Sequence, residues 1–198
     1  MSSEQCYCLN TIRVSLRRLD YTIRRARLDE RDAIQELIAA SARGLSRADY
    51  SNQQIESAIL DVFGVDSSLI EDGTYFVAEH EAQLVGCGGW SKRKTLFGGD
   101  QFATRDASPL NPQTEAAKIR AFFVHPDWAR KGIAKAILER CEDEARDAGF
   151  RSVELMATLP GIKFYLACGY VAAEQFDYQM ASGGTLSLVP MMKDLCAS

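Results

Sequence analysis

The sequence predicts one α/β domain, a mixed sheet with helices on both faces. Three observations carry that expectation. Strand-like and helix-like segments alternate along the chain; the β-α-β run from Ile119 to Met156 asks for a parallel strand pair; and a turn at His80-Glu81-Ala82 between two β-rich runs asks for an antiparallel hairpin. A length of 198 residues suits one domain with a sizeable core. The expected division is an N-terminal extension over 1–20, the domain over 21–193 and a short tail over 194–198.

The elements follow in order. Tyr21 to Arg25 reads as the first strand, and Ile34, Leu37 and Ile38 at helical spacing place a helix at about Glu30 to Ala42. Ser51 or Asn52 can cap a second helix whose Ile55, Ala58, Ile59 and Val62 share a face, before Gly64 interrupts it. Thr74 to Glu79 and Gln83 to Trp90 form the hairpin strands. Lys92 to Thr114 is polar, contains Gly98-Gly99-Asp100 and two prolines, and predicts a long surface loop of the kind that often carries function. Ile119 to Val124 is a short apolar strand. Ile133, Ile137, Leu138, Cys141 and Ala145 then recur at helical spacing until Gly149 stops the helix, and its acidic residues Glu139, Glu142, Asp143 and Glu144 read as a solvated face. Val153 to Met156, a short helix at Gly161 to Cys168, Tyr170 to Ala173 and a last strand at Leu186 to Met192 complete the order.

Composition excludes several classes of function. Hydrophobic and charged fractions of 46% and 25% are ordinary for a globular chain, and a net charge of -4 argues against an extended nucleic-acid partner. No apolar run suggests a membrane span or a signal-peptide core in the first twenty residues, so a cytoplasmic location with reduced thiols is the expectation. The six cysteines lack CxxC spacing and the chain has two histidines, so no metal site is expected.

The chemistry is expected where the strand ending at Val124 passes through His125-Pro126-Asp127-Trp128-Ala129-Arg130-Lys131 into a helix opening at Gly132-Ile133-Ala134-Lys135. The first amides of a helix lack intrahelical partners and sit at the positive end of its dipole, so they favour an anion. Gly132 and Ala134 leave room for a phosphate near the backbone, and Arg130, Lys131 and Lys135 add positive charge that an anionic ligand would balance. A phosphate-loop nucleotide site is disfavoured, because Gly132 sits in neither GxxxxGK[ST] nor GxGxxG.

This window resembles the GNAT superfamily of acetyl-CoA-dependent N-acetyltransferases, whose signature is Q/R-x-x-G-x-G/A. Gly132 and Ala134 match its fourth and sixth positions, Ala129 departs from the first, and Phe164-Tyr165-Leu166-Ala167-Cys168-Gly169-Tyr170 is similar to the family's FYxxxGF/Y ending. The resemblance implies a mostly antiparallel central sheet with a splayed pair of parallel strands. It implies acetyl-CoA as cofactor, with Phe122, Phe123 and Val124 beside the pantetheine arm and Arg130, Lys131, Gly132, Ile133, Ala134 and Lys135 around the pyrophosphate. It implies a small-molecule or peptide amine as acceptor, and a homodimer as a state common among relatives.

Amine acetylation needs a neutral amine and a proton or its equivalent for the departing thiolate. The resemblance gives Tyr165 the role of general acid, a phenol protonated at neutral pH. A base is harder to find. Met156 stands where some relatives have glutamate, Glu154 lies two residues earlier on the same sheet face, and the strand before the turn offers Lys118 and Arg120 instead of an acid. Water, Asp100 or an amine of low basicity remain as alternatives, and His125, before a proline, has the commoner reading of a structural residue. Pro160 replaces an asparagine that contacts the cofactor in many relatives, with Thr158 as a substitute. Tyr50, Trp90 and Arg105 are candidates for the acceptor pocket. The missing glutamate also leaves a non-catalytic acyl-CoA-binding module as the competing function.

Overall fold

The structure, a computed structural model, describes residues 21–102 and 105–196. The 1–20 extension therefore lies outside the described residues. Among the described residues no helix is long and apolar enough to cross a membrane.

The chain opens with β1 (Thr22–Arg25) and a 3-10 turn into α1 (Arg31–Leu45), which buries Ile34, Leu37 and Ile38 along one face. Ser51 caps α2 (Asn52–Asp61): its hydroxyl accepts from the Gln54 amide while the Gln54 side chain accepts from the Ser51 amide. A third helix, α3 (Ser67–Glu71), was not expected from the sequence; Asp66 caps it, and five residues are too few to show a period. The hairpin of β2 (Tyr75–His80) and β3 (Gln83–Ser91) turns at Glu81 and Ala82, both at positive φ. After the long loop come β4 (Ala117–Val124), α4 (Ile133–Asp147), β5 (Ser152–Thr158), α5 (Ile162–Ala167), β6 (Val171–Ala172), β7 (Phe176–Gln179) and β8 (Thr185–Asp194). The strand β7 was also unexpected.

The sheet runs β1-β2-β3-β4-β5-β8-β6, with β7 also paired to β8. β4 and β5 form its parallel pair, and the other pairings are antiparallel. On one face α4 packs with Val153, Leu155 and Ala157 of β5, and on the other α1 and α2 pack with Val77, Cys87 and Leu188. Gly86 permits the close seat of α4, since a Cβ there would meet Ile133 at 2.5 Å. The solvated face expected on α4 fails at Glu142, which is buried and accepts from Tyr170 Oη at 3.0 Å and Lys193 Nζ at 2.6 Å.

Burial pushes the Tyr50 phenol and the Cys87 thiol up to about 12, and raises the phenols of Tyr75 and Tyr170 as well. Each group folds in its neutral form and ionises earlier when unfolded, a thiol near ~8.5 and a phenol near ~10. Stability from these groups is complete below those values and is lost as pH rises through the folded ones. Melting temperature should hold between pH 7 and 8 and fall steeply by pH 11 when followed by circular dichroism. A flat profile would contradict this burial.

Candidate active site

Parallel pairing of β4 with β5 covers only Ala117 with Val153 and Lys118 with Glu154, after which the strands part. On its other side β4 slips register against β3 between Cys87 and Gly89, where Ala121 adopts φ 55. A bulge of this kind bends a strand and twists it away from its neighbour. The gap so opened is a cleft of about 400 Å³. Its walls draw on both cores: Ile119, Phe122, Leu155 and Tyr165 from the α4 side, Ala42, Phe63, Met156 and Leu188 from the α1 side.

At one end of the cleft β4 feeds α4 through a tight turn. His125 Nδ1 accepts from the Asp127 amide at 3.3 Å, so this histidine caps the turn and does not line the cleft. Arg130 and Gly132 both take left-handed backbone, φ 63 and 84. A Cβ on Gly132 would meet only Tyr21 Oη, at 3.9 Å. The glycine is thus required for its backbone angle, and the space before it is open. The first bond within α4 runs from the Ala136 amide to the Gly132 carbonyl, and among the described residues no side chain caps the helix. The amides of Ile133, Ala134 and Lys135 have no carbonyl partner within the helix.

The basic residues of the turn divide. Arg130 lines the cleft with Ala129 and Ala134, whereas Lys131 Nζ lies 4.4 Å over the Trp128 ring and Lys135 pairs on the surface with Glu139 at 3.6 Å. Ile133 is buried in the core, so only its backbone can serve a ligand. Phe122, Phe123 and Val124 all line the cleft, and the Val124 amide donates to Ser41 Oγ at 3.2 Å. Ser41 had no sequence signal, because a serine inside an amphipathic helix looks like any small core residue.

Tyr165 stands across the cleft, held edge-on to Phe164 and Tyr170. Among the described residues no group bonds its hydroxyl, and burial raises the phenol well above its ordinary range, keeping it protonated at working pH. Thr158 and Pro160 also line the cleft.

None of the three acceptor-pocket candidates does. Trp90 packs in the α4 core against Phe150 and donates to Glu144 at 3.3 Å. Tyr50 is buried, donating to the Ser187 carbonyl at 2.6 Å and accepting from the Leu159 amide at 2.9 Å, which ties α2's approach to β8. Arg105 pairs with Asp66 and Asp100 and donates to the Gly99 carbonyl. Packing and pairing consume the groups that the sequence left free. The far end is lined instead by Phe63, Gly64, Leu96, Phe97, Gly98 and Leu188, with Arg120 and Met156 between them.

The candidate bases are likewise engaged. Glu154 is paired with Lys118 where the strands are still joined, and Asp100 accepts from the Ser67 amide, Ser67 Oγ, Arg31 and Arg105. Neither lines the cleft. Glu154→Gln should therefore leave turnover intact while costing about 1–3 kcal/mol of stability, since Lys118 is nearly buried and loses its counter-charge. Parallel kinetics and thermal melts check this; a collapse of turnover in a folded variant would restore Glu154 as base.

A parallel pair that splays over an uncapped helix start, with a buried tyrosine opposite, defines an acyl-transferring enzyme of the GNAT type. The model of the acetyltransferase (GNAT) family matches residues 33–170, and the chain belongs to that family. No curated protein matches the sequence. The chain is similar in structure to a GCN5-related N-acetyltransferase of Rhodopseudomonas palustris, with TM-score 0.65 and 18% identity over 87% of this chain and 94% of that one. It is similar to the PaiA N-acetyltransferase of Thermoplasma acidophilum in complex with coenzyme A, with TM-score 0.60 and 15% identity over 89% and 99% of the two chains. It is also similar to yncA of Salmonella typhimurium with its cofactor acetyl-CoA, with TM-score 0.58 and 18% identity over 90% and 96%.

Proposed function

We propose that the chain moves the acetyl group of acetyl-CoA to the primary amine of a small molecule or peptide, with Tyr165 as the acid. The observation that carries this reading is the uncapped start of α4 opening onto the cleft between β4 and β5. The amides of Ile133, Ala134 and Lys135 suit a diphosphate, and Arg130 supplies the adjacent charge. The Ser41 hydroxyl, which accepts from the Val124 amide, can turn its own hydrogen to a carbonyl of a pantetheine arm running between the strands. Bound there, acetyl-CoA supplies an activated thioester.

Tyr165 donates a hydrogen bond toward the sulfur as charge builds on it. Full proton transfer is uphill, because the phenol lies above ~10 and a thiol near ~8.5, so the hydroxyl stabilises the thiolate and solvent completes the exchange. The apolar walls exclude water from the thioester and hold the amine within reach of its carbonyl.

An assay of free thiol release from acetyl-CoA across a panel of amines tests the reading, with amine-dependent release expected. Met156 in the cleft wall is the observation that favours the competing reading, a non-catalytic acyl-CoA-binding module. Coenzyme A binding with no thiol release for any amine would establish that module instead.

A further inference from the structure

The acceptor end of the cleft is built from apolar side chains and one charged group. Arg120 is the charged residue there; the other that lines the cleft, Arg130, belongs to the diphosphate end, and among the described lining residues none is Asp, Glu or His. Two consequences follow. A second ammonium on the acceptor would meet a guanidinium and no carboxylate, which disfavours polyamines and other polycations. With no titrating base in the wall, the acceptor must supply its own neutral nitrogen, and an α-amino group of reference pKa ~8 is neutral far more often at pH 7.5 than an alkylamine near ~10.4.

Arg120 itself narrows the class. Its side chain is nearly fully buried on the α1 side of β4, where Nη1 pairs with Asp66 at 2.5 Å and Nη2 donates to the Gly98 carbonyl. Its Nε, among the described residues, has no hydrogen-bond partner. Asp66 offsets part of the guanidinium charge while also pairing with Arg105, and the unpartnered Nε N–H is a buried donor suited to a carbonyl oxygen. Phe63, Phe97 and Leu188 around it suit an apolar side chain.

Resting on the acetyltransferase reading above, we infer that the acceptor is an α-amino group flanked by a carbonyl and an apolar side chain, the end of an aminoacyl amide or of a peptide. Arg120 Nε donates to that carbonyl. The neutral nitrogen attacks the thioester carbonyl carbon, the carbon–sulfur bond breaks with its electron pair going to sulfur, and the ammonium proton leaves to water.

The test measures thiol release from acetyl-CoA with phenylalaninamide, phenylalanine, phenethylamine, spermidine and a tripeptide beginning with phenylalanine, between pH 6.5 and 9.5. The expected order at pH 7.5 places phenylalaninamide or the tripeptide first in kcat/KM, at least about tenfold above phenethylamine, with spermidine last. Whichever of the two leads identifies a small amide or a polypeptide end as the source. Each rate should climb with pH along the neutral fraction of its own amine. In the paired variant Asp66→Asn with Arg120→Met, which leaves Arg105 paired with Asp100, the amide-to-phenethylamine ratio should fall at least about tenfold, about 1.4 kcal/mol of discrimination. If that variant does not fold, the wild-type order and pH profiles decide. Preference for spermidine or for free phenylalanine, or an inflection at one pH shared by all acceptors, overturns the inference alone. Thiol release from no acceptor, together with no stabilisation by coenzyme A, overturns the acetyl-transfer reading and this inference with it.

Discussion

Replacing Gly132 with glutamate is expected to abolish the thermal stabilisation that acetyl-CoA confers on the wild-type protein. Two effects act together. The backbone at this position has φ 84, where an L side chain costs about 1–2 kcal/mol, and the new carboxylate stands before the helix amides that should receive a diphosphate. Together they should weaken binding at least about a hundredfold, since each tenfold corresponds to about 1.4 kcal/mol. Gly149→Ala is the control. Gly149 has φ 90 at the other end of α4, a Cβ there would meet only Pro112 at 3.8 Å, and the position does not line the cleft. That variant should lose comparable stability and keep the full cofactor shift. Loss of the shift in both variants would mean that general destabilisation, and no local anion site, explains the result.

Tyr165→Phe is expected to lower kcat about a hundredfold, the lower part of the range for a lost hydrogen-bond donor to developing charge, while leaving coenzyme A affinity unchanged. The ring keeps its contacts with Phe164 and Tyr170, and the hydroxyl has no partner among the described residues to forfeit, so the fold should persist. Because burial raises this phenol, the wild-type enzyme should show no loss of activity from tyrosine ionisation through the neutral range. Stopped-flow turnover at saturating cofactor, beside calorimetric binding of coenzyme A, separates the two effects. Full turnover in the variant would remove Tyr165 from the reaction.

The parts of the fold legible in the sequence are those whose signal is local. Ser51 and Gln54 announce a helix start within one turn, Gly149 and Gly169 announce ends, both at positive φ, and the β-α-β run announces a parallel pair. The end of the cleft at the start of α4 belongs to the same kind, because one continuous segment from Val124 to Lys135 builds it. What the sequence hid was assembled at a distance. Phe63, Phe97 and Leu188 meet only in three dimensions, and Arg120 reads as a strand cation until Asp66 and Gly98 are seen to hold it. Trp90 and Arg105 misled for a related reason: large or charged side chains attract functional readings, yet packing against Phe150 and pairing with Asp66 use them up. β7 was within reach, since Phe-Asp-Tyr-Gln alternates and Gly183-Gly184 follows, but its exposed residues add no core signal.

The amides at the start of α4 are proposed to hold a diphosphate. Calorimetric titration of the wild-type protein and of Gly132→Glu with coenzyme A and with pantetheine, which lacks the diphosphate, tests it most directly. The wild-type protein should bind coenzyme A at least about a hundredfold more tightly than pantetheine, about 2.7 kcal/mol, and Gly132→Glu should erase that difference while still binding pantetheine. Equal affinity of the wild-type protein for the two ligands would contradict it.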